Sequence, residues 1–287
     1  MSNSESYTAN DFMRKADLHL HTNKSDGFYS VEEVIKLAKE AGLDIISITD
    51  HDTIDGVKEA IDIGKFYGVE IIPGLEISSD FLDTEVHILA YFFDIDSKEL
   101  DEYLNFFRAE RYKRAVRIIN KLNSIGQSIS IEDVLEVAGK STIGRPHIAK
   151  AMVNKGLVSN YYEAFNKYIG NGCVAYEKKV HLSPQSACKI INDAGGLSFI
   201  AHPNNLSDEI IKMLIDSGID GIETIHPSNL PNKTEYFRGI VNEYFLLECG
   251  GSDFHGGERN DLSNLGKYYV SGSKVDAMRN FLIRNRA

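Results

Sequence analysis

Short apolar runs alternate with helical patterns along this 287-residue chain, and that order limits its fold more than any other feature. Residues 16–20, Ile45–Ile48, 69–72 and 86–92 read as strands. Between the first two, Ser30-x-x-Glu33 has the spacing of a capping box, opening a helix through Val31, Val34, Ile35, Ala38 and Ala41 that closes at Gly42. A second helix is predicted at about 56–66. The same order returns after residue 180. A helix over 183–194 ends at Gly195-Gly196, and strands at 197–201, Gly221–Ile225 and 245–248 alternate with helices at 209–217 and 234–243 before a last helix at 275–286.

Between these halves, from Ser97 to Lys179, no strong strand pattern is found. A long helical pattern through Leu100, Leu104, Phe107, Tyr112, Val116 and Ile119 stops near Gly126, and shorter ones surround Val134, Ile148 and Phe165. The expectation is an α/β catalytic barrel formed by residues 12–96 and 180–287, with a mainly helical insertion at 97–179 covering the active site. Alternating strands and helices build a parallel sheet wrapped by helices, and at this length a closed or distorted barrel is favoured over an open doubly wound sheet. Neither a Gly-x-Gly-x-x-Gly nor a Walker loop argues for the open form.

Composition narrows the setting. No stretch approaches the roughly 18 apolar residues that span a bilayer, and the start, with Ser2, Asn3, Ser4, Glu5 and Ser6, lacks the basic and apolar parts of a secretory signal. A cytoplasmic protein is expected. Three separated cysteines, Cys173, Cys188 and Cys249, give neither a disulfide framework nor a thiolate zinc site. A formal net charge of −11 disfavours capture of duplex DNA, yet bound cations would reverse the potential locally and admit a phosphorylated substrate.

The chemistry lies in histidines and carboxylates at strand ends. His19 and His21 are two apart, so on a strand both rings face one side and can share a metal. Asp26 lies on the following loop. Asp50 and His51 follow the second strand, Glu76 the third, and His87 sits on the fourth. His202 ends the fifth, while Asp253 and His255 follow the last. Strand ends converge at the mouth of a β/α barrel. Six histidines and three carboxylates would then meet there, and burying so many ligand-type groups without cations would cost several kcal/mol each. Imidazole mixed with carboxylate and no thiolate suits Mn²⁺, Fe²⁺ or Zn²⁺.

These segments, Asp17-Leu18-His19-Leu20-His21-Thr22 with Asp26, Thr49-Asp50-His51, Gly74-Leu75-Glu76-Ile77-Ser78, His87, Ala201-His202-Pro203 and Ser252-Asp253-Phe254-His255, resemble the PHP family, named for its polymerase and histidinol phosphatase members. The resemblance covers nearly the whole chain. It implies a distorted (β/α)₇ barrel holding two to three divalent metals. One metal would take His19, His21, Glu76 and Asp253; a second would share Glu76 and add His87 and His202; a third would take Asp26, His51 and His255. It further implies phosphoester hydrolysis, in which water activated between two metals attacks phosphorus in line. Asp253, His202 and His226 are the residues expected to bear on catalysis, His226 by contacting substrate or assisting the leaving group from the end of its strand. Asp50 is expected to anchor a neighbouring imidazole or the barrel more often than to act directly.

Gly144-Arg145-Pro146-His147 begins a helix within the insertion, where a guanidinium fork and a first-turn histidine favour anions. The segment resembles the Arg-Pro-His of the branch acting on nucleoside 3′,5′-bisphosphates and short RNAs, which makes Arg145 and His147 candidate phosphate binders and a nucleotide or short oligoribonucleotide the expected substrate. A cyclic ribose phosphate and histidinol phosphate remain alternatives. More distant are an amidohydrolase-type deaminase or lactonase and a non-catalytic metal-binding domain. Tyr176, Lys178 and Lys179 could border the pocket, and His181 reads as a surface or hinge residue. Oligomeric state is not legible.

Overall fold

The computed structural model describes residues 14–81, 84–139, 141–180 and 182–285, so the N-terminal reading and His181 lie outside the described residues. Eight strands form one sheet: β1 (Lys15–Leu20), β2 (Ile45–Ile48), β3 (Glu70–Phe81), β4 (Thr84–Tyr91), β5 (Leu197–Ile200), β6 (Gly221–Ile225), β7 (Leu247–Gly250) and β8 (Val270–Ser271). Their order is β7-β6-β5-β4-β3-β2-β1-β8. The sheet curls until β1 and β7 nearly meet. There Leu20 bridges Phe254, and the His21 amide donates to the Phe254 carbonyl at 2.9 Å. The expected α/β barrel is therefore present in distorted, nearly closed form.

Ten helices accompany the sheet among the described residues: α1 (Val31–Glu40), α2 (Asp55–Tyr67), α3 (Lys98–Ser124), α4 (Ile131–Ala138), α5 (Arg145–Asn154), α6 (Tyr161–Ala164), α7 (Pro184–Asp193), α8 (Asp208–Asp216), α9 (Pro231–Glu243) and α10 (Gly272–Asn285). Local chemistry sets their limits. The Ser30 amide donates to Glu33 Oε2 at 2.8 Å while the Glu33 amide donates to Ser30 Oγ at 3.4 Å, realising the capping box. Helix α2 stops at Gly68, whose φ of 65° only glycine adopts without cost. Helix α9 starts three residues earlier than predicted, because Pro231 supplies a first-turn φ.

Three strand expectations need correction. The sheet is not all parallel: β4 runs antiparallel to both β3 and β5, since two residues between β3 and β4 allow a hairpin but not a parallel crossover. Strand β3 continues past Pro73 to Phe81, so Glu76 lies within a strand and pairs with Leu89. Strand β7 begins at Leu247 because Phe245, with φ of 56°, is still turning out of α9. The short β8, which pairs antiparallel with β1, had no sequence signal.

Helix α3 joins two apolar cores. Leu100, Leu104 and Phe107 pack with strand residues Leu75, Ile88 and Ile222, whereas Ile118, Ile119 and Leu122 pack with Val134, Ile148, Met152 and Ile169 of the helical region. Those two contact sets fix α3 at both ends, so the helical region is held against the barrel by burial along one continuous helix. No helix is long and apolar enough to cross a membrane among the described residues.

Candidate metal centre

Glu76 is the hub. It is 1% exposed, and its two oxygens face different imidazoles. Oε2 lies 3.4, 3.3 and 3.1 Å from His19 Nε2, His21 Nε2 and His51 Nδ1; Oε1 lies 2.8 Å from His87 Nδ1 and 3.0 Å from His202 Nε2. Asp253 forms a second focus, its Oδ1 3.3 Å from His19 Nε2 and 3.2 Å from His21 Nε2, its Oδ2 3.4 Å from His226 Nε2. A third gathers on Asp26, whose Oδ1 is 3.3, 3.9 and 4.0 Å from His255 Nε2, His21 Nδ1 and His51 Nε2. All nine residues expected as metal ligands thus meet at one rim, joined by His226.

Strand geometry does this work. The His19 and His21 ring centroids are 5.2 Å apart, as two side chains at period two should be. His87 reaches the rim from the reversed strand because it sits opposite Ser78, two residues beyond Glu76. His202 and Asp253 follow their strands with φ of 29° and 49°, a left-handed backbone that non-glycine residues rarely adopt and that often marks a functional site.

The donor atoms fit divalent cations. His19 Nε2, both ring nitrogens of His21, His51 Nδ1, His226 Nε2 and His255 Nε2 are buried without a hydrogen-bond partner, although carboxylate oxygens stand beside them. Nitrogen and oxygen ligands bound at about 2.0–2.2 Å to one ion are themselves about 3.0–3.5 Å apart, which is the spacing found around Glu76 and Asp253. Four overlapping groups could each hold an ion: His21, Asp26, His51 and His255; His19, His21 and Glu76; His19, His226 and Asp253; and His51, Glu76 and His87. His202 belongs to none of these four, though its ring faces Glu76.

Electrostatics follow from crowding. Burial works to raise the carboxyls of Glu76, Asp26 and Asp253, but the surrounding imidazoles outweigh it and hold all three well below the usual range. His51, dominated by burial, is pushed down to about 3. His21 and His87 go the other way, up to about 9, because their carboxylate neighbours overcome burial.

Supporting contacts explain residues that sequence reasoning weighted lightly or missed. Asp50 accepts from the Thr22 amide at 2.8 Å and from the Thr22 and Ser25 hydroxyls at 2.6 Å, so it pins the loop that carries His21 and Asp26. Glu223 was missed. Its Oε1 is 2.8 Å from His19 Nδ1 and its Oε2 accepts from the His202 amide at 2.6 Å, which orients two rim histidines. The signal was available, since an acid within the buried strand Gly221–Ile225 demands a partner. Arg259 was also missed. It follows the last ligand segment on a short turn and approaches Asp26 Oδ2 and Asp253 Oδ2 at 3.6 and 3.8 Å.

Beside this rim lies a second charged group. Arg111 binds Asp52 and donates to Ser78 Oγ at 3.0 Å, and Lys179 pairs with Glu85, whose Oε1 is also 3.0 Å from His87 Nε2. Arg114 donates to the Glu177 carbonyl at 2.8 Å, and Arg145 to Asn171 Oδ1 at 2.8 Å. Together they line a cavity of about 210 Å³ that reaches Asp26, His51 and His87. Arg145 and His147, expected to act as a pair, line different cavities. The His147 Nδ1 accepts from the Gly144 amide at 3.0 Å and closes the start of its own helix.

The chain matches the PHP domain model over residues 17–175, more than half its length. It is 33% identical over 84% of its length to a 5′-3′ exoribonuclease of Haemophilus influenzae, of which 90% is covered. It is 28% identical over 84% to a phosphoribosyl 1,2-cyclic phosphate 1,2-diphosphodiesterase of Eggerthella lenta, covered over 94%. A 3′,5′-nucleoside bisphosphate phosphatase of Chromobacterium violaceum is 29% identical over 85% of this chain and 88% of its own. Among solved structures, a protein of Bifidobacterium adolescentis described as a metal-dependent phosphoesterase superposes with a TM-score of 0.84 at 31% identity, over 92% of this chain and 94% of that one. With its curled sheet, its rim of histidines and carboxylates and these likenesses, the chain belongs to the PHP family.

Proposed function

We propose that this phosphoester hydrolase acts on a phosphomonoester or short phosphodiester of a nucleotide that carries a second phosphate one ribose away, as in a nucleoside 3′,5′-bisphosphate or a short RNA trimmed from its 5′ end. The observation that carries this reading is the charge of the cavity beside the rim. Arg111 and Lys179 have carboxylates opposite them, but Arg114 and Arg145 bond only carbonyl and amide oxygens among the described residues. Two guanidinium charges without a carboxylate, one buried at Arg114 and one half-buried at Arg145, favour an anion beside them. Burial, and then the neighbouring Arg145 and Arg111, push the Arg114 guanidinium down to about 10.

We further propose that two to three Mn²⁺, Fe²⁺ or Zn²⁺ ions are held by His19, His21, Asp26, His51, Glu76, His87, His202, Asp253 and His255, with Glu76 shared. Such ions supply Lewis acidity toward the phosphoryl oxygens and acidify water. The protein's own groups do the rest. Glu223 fixes the His19 ring, Arg259 borders the developing charge beside Asp26, and His226, held at Nδ1 by Ser228, presents Nε2 beside Asp253 where a leaving oxygen can take a proton. The branches represented among the relatives support the class, and the second anion site favours a substrate that carries two phosphate groups.

A turnover screen of Mn²⁺-loaded protein with adenosine 3′,5′-bisphosphate, a 5′-phosphorylated trinucleotide, a ribose cyclic phosphate and histidinol phosphate, the products separated by anion-exchange chromatography, tests this directly. The first two should be turned over with the highest kcat/KM. A preference for either of the last two would overturn the substrate reading.

A further inference from the structure

A small polar cavity and a much larger, mainly apolar one adjoin the rim among those described, and the phosphate contacts proposed above leave the larger one free. It has a volume of about 960 Å³, lies between the loop after β1, the turn after β7 and helices α4 to α6, and opens onto the rim at Asp26 and His255. Its walls include Phe28, Val137 and Ala138 with Lys24 and Lys150, while Tyr161 and Arg259 stand at the boundary shared with the smaller cavity.

Phe28 stands out because it is 66% exposed and yet firmly held. Its amide donates to the His255 carbonyl at 2.7 Å, which fixes the residue beside a rim histidine. Its ring meets Tyr29 edge-on at 5.1 Å, and Tyr29 in turn stacks on buried Phe254 at 5.9 Å. On the other side Gly257, with φ of 57°, lets the backbone lie against the ring, where a Cβ would come within 2.9 Å of it. An exposed aromatic held on both sides is a preorganised platform. Tyr161 reaches the same cavity from the helical region, its ring packed on Phe165 at 5.0 Å.

We propose that this cavity is a nucleobase subsite, in which the base of the nucleotide stacks on Phe28 while its scissile phosphate lies at the rim. The inference rests on the phosphoesterase reading and names the part of the substrate it left unplaced. Size and lining favour a base: the cavity is several times larger than its polar neighbour, apolar in most of its walls, and continuous with the rim. Stacking on a π face discriminates little among bases, so purines and pyrimidines should both bind.

The chain has no tryptophan, so a Phe28→Trp variant places its single indole at the cavity wall. Titrated with adenosine 5′-monophosphate, its fluorescence should be quenched with saturation at a concentration at least tenfold below that needed for ribose 5-phosphate. Equal concentrations for both, or no quenching, would overturn the subsite. In turnover, Phe28→Ala should raise KM for adenosine 3′,5′-bisphosphate about ten- to hundredfold and leave KM for the base-free 1-deoxyribose 3,5-bisphosphate unchanged; equal effects on both would also overturn it. If neither bisphosphate is hydrolysed, the functional reading fails, and the indole titration still decides the subsite by itself.

Discussion

Two charged groups sit side by side in this molecule and solve burial in opposite ways. At the rim, His87 and His202 hydrogen-bond Glu76, but six other ring nitrogens lie beside carboxylate oxygens without hydrogen-bond geometry. In the neighbouring cavity nearly the reverse holds: the guanidinium groups of Arg111, Arg114 and Arg145 each donate to an oxygen, but positive charge exceeds negative. Unmet lone pairs ask for cations, and unmet charge on satisfied donors asks for an anion. Their adjacency through His87, Glu85 and Lys179 is the arrangement on which the proposed substrate with two phosphates rests.

That contrast can be broken from either side. Removing Asp253 should have the largest effect: Asp253→Ala is expected to lower kcat by about a thousandfold or more while circular dichroism shows the fold intact, and a variant retaining most of its activity would dismiss the rim as the reaction centre. Next comes Glu223→Gln, which should weaken metal affinity about 10–100-fold by freeing His19, measured by calorimetric titration with Mn²⁺. On the anion side, Arg114→Ala or Arg145→Ala should raise KM for a bisphosphate about tenfold or more with little change for a monophosphate, each charge-assisted contact being worth about 1.5–3 kcal/mol; equal changes for both substrates would remove the second anion site. The smallest effect belongs to His147→Ala. Loss of its cap should cost about 1 kcal/mol in a denaturant melt with KM changing less than threefold, whereas a large rise in KM would return His147 to the phosphate.

The rim was legible because strand ends announce themselves. His19, His21, His51, Glu76, His202, Asp253 and His255 each lie within or just after a short apolar run, and the barrel supplied the rest. Orientation was harder to read: nothing in residues 84–91 distinguishes a strand that returns from one that continues, and only the two-residue link to β3 decides it. The basic cavity was half visible. Arg145 stood in a recognisable segment, but Arg111 and Arg114 lie in a long helix where charged residues are ordinarily read as a solvated face. Asp52 and Glu85, which hold Arg111 and Lys179, sit next to His51 and two residues from His87, where ligand residues drew the eye.

The reversed strand β4 has a further effect on what the barrel can recognise. By returning the chain to the closed end, it obliges the next segment to climb back toward the opening, and the 27 residues of α3 cover about 40 Å in doing so. Arg108, Arg111, Arg114 and Arg117, each three residues from the next, ascend with it and make successive contacts with Asp55, Asp52 and the two ends of Glu177. One change in strand direction thereby becomes a ladder of fixed cations, running from the flank of the barrel up to the place where a second phosphate would lodge.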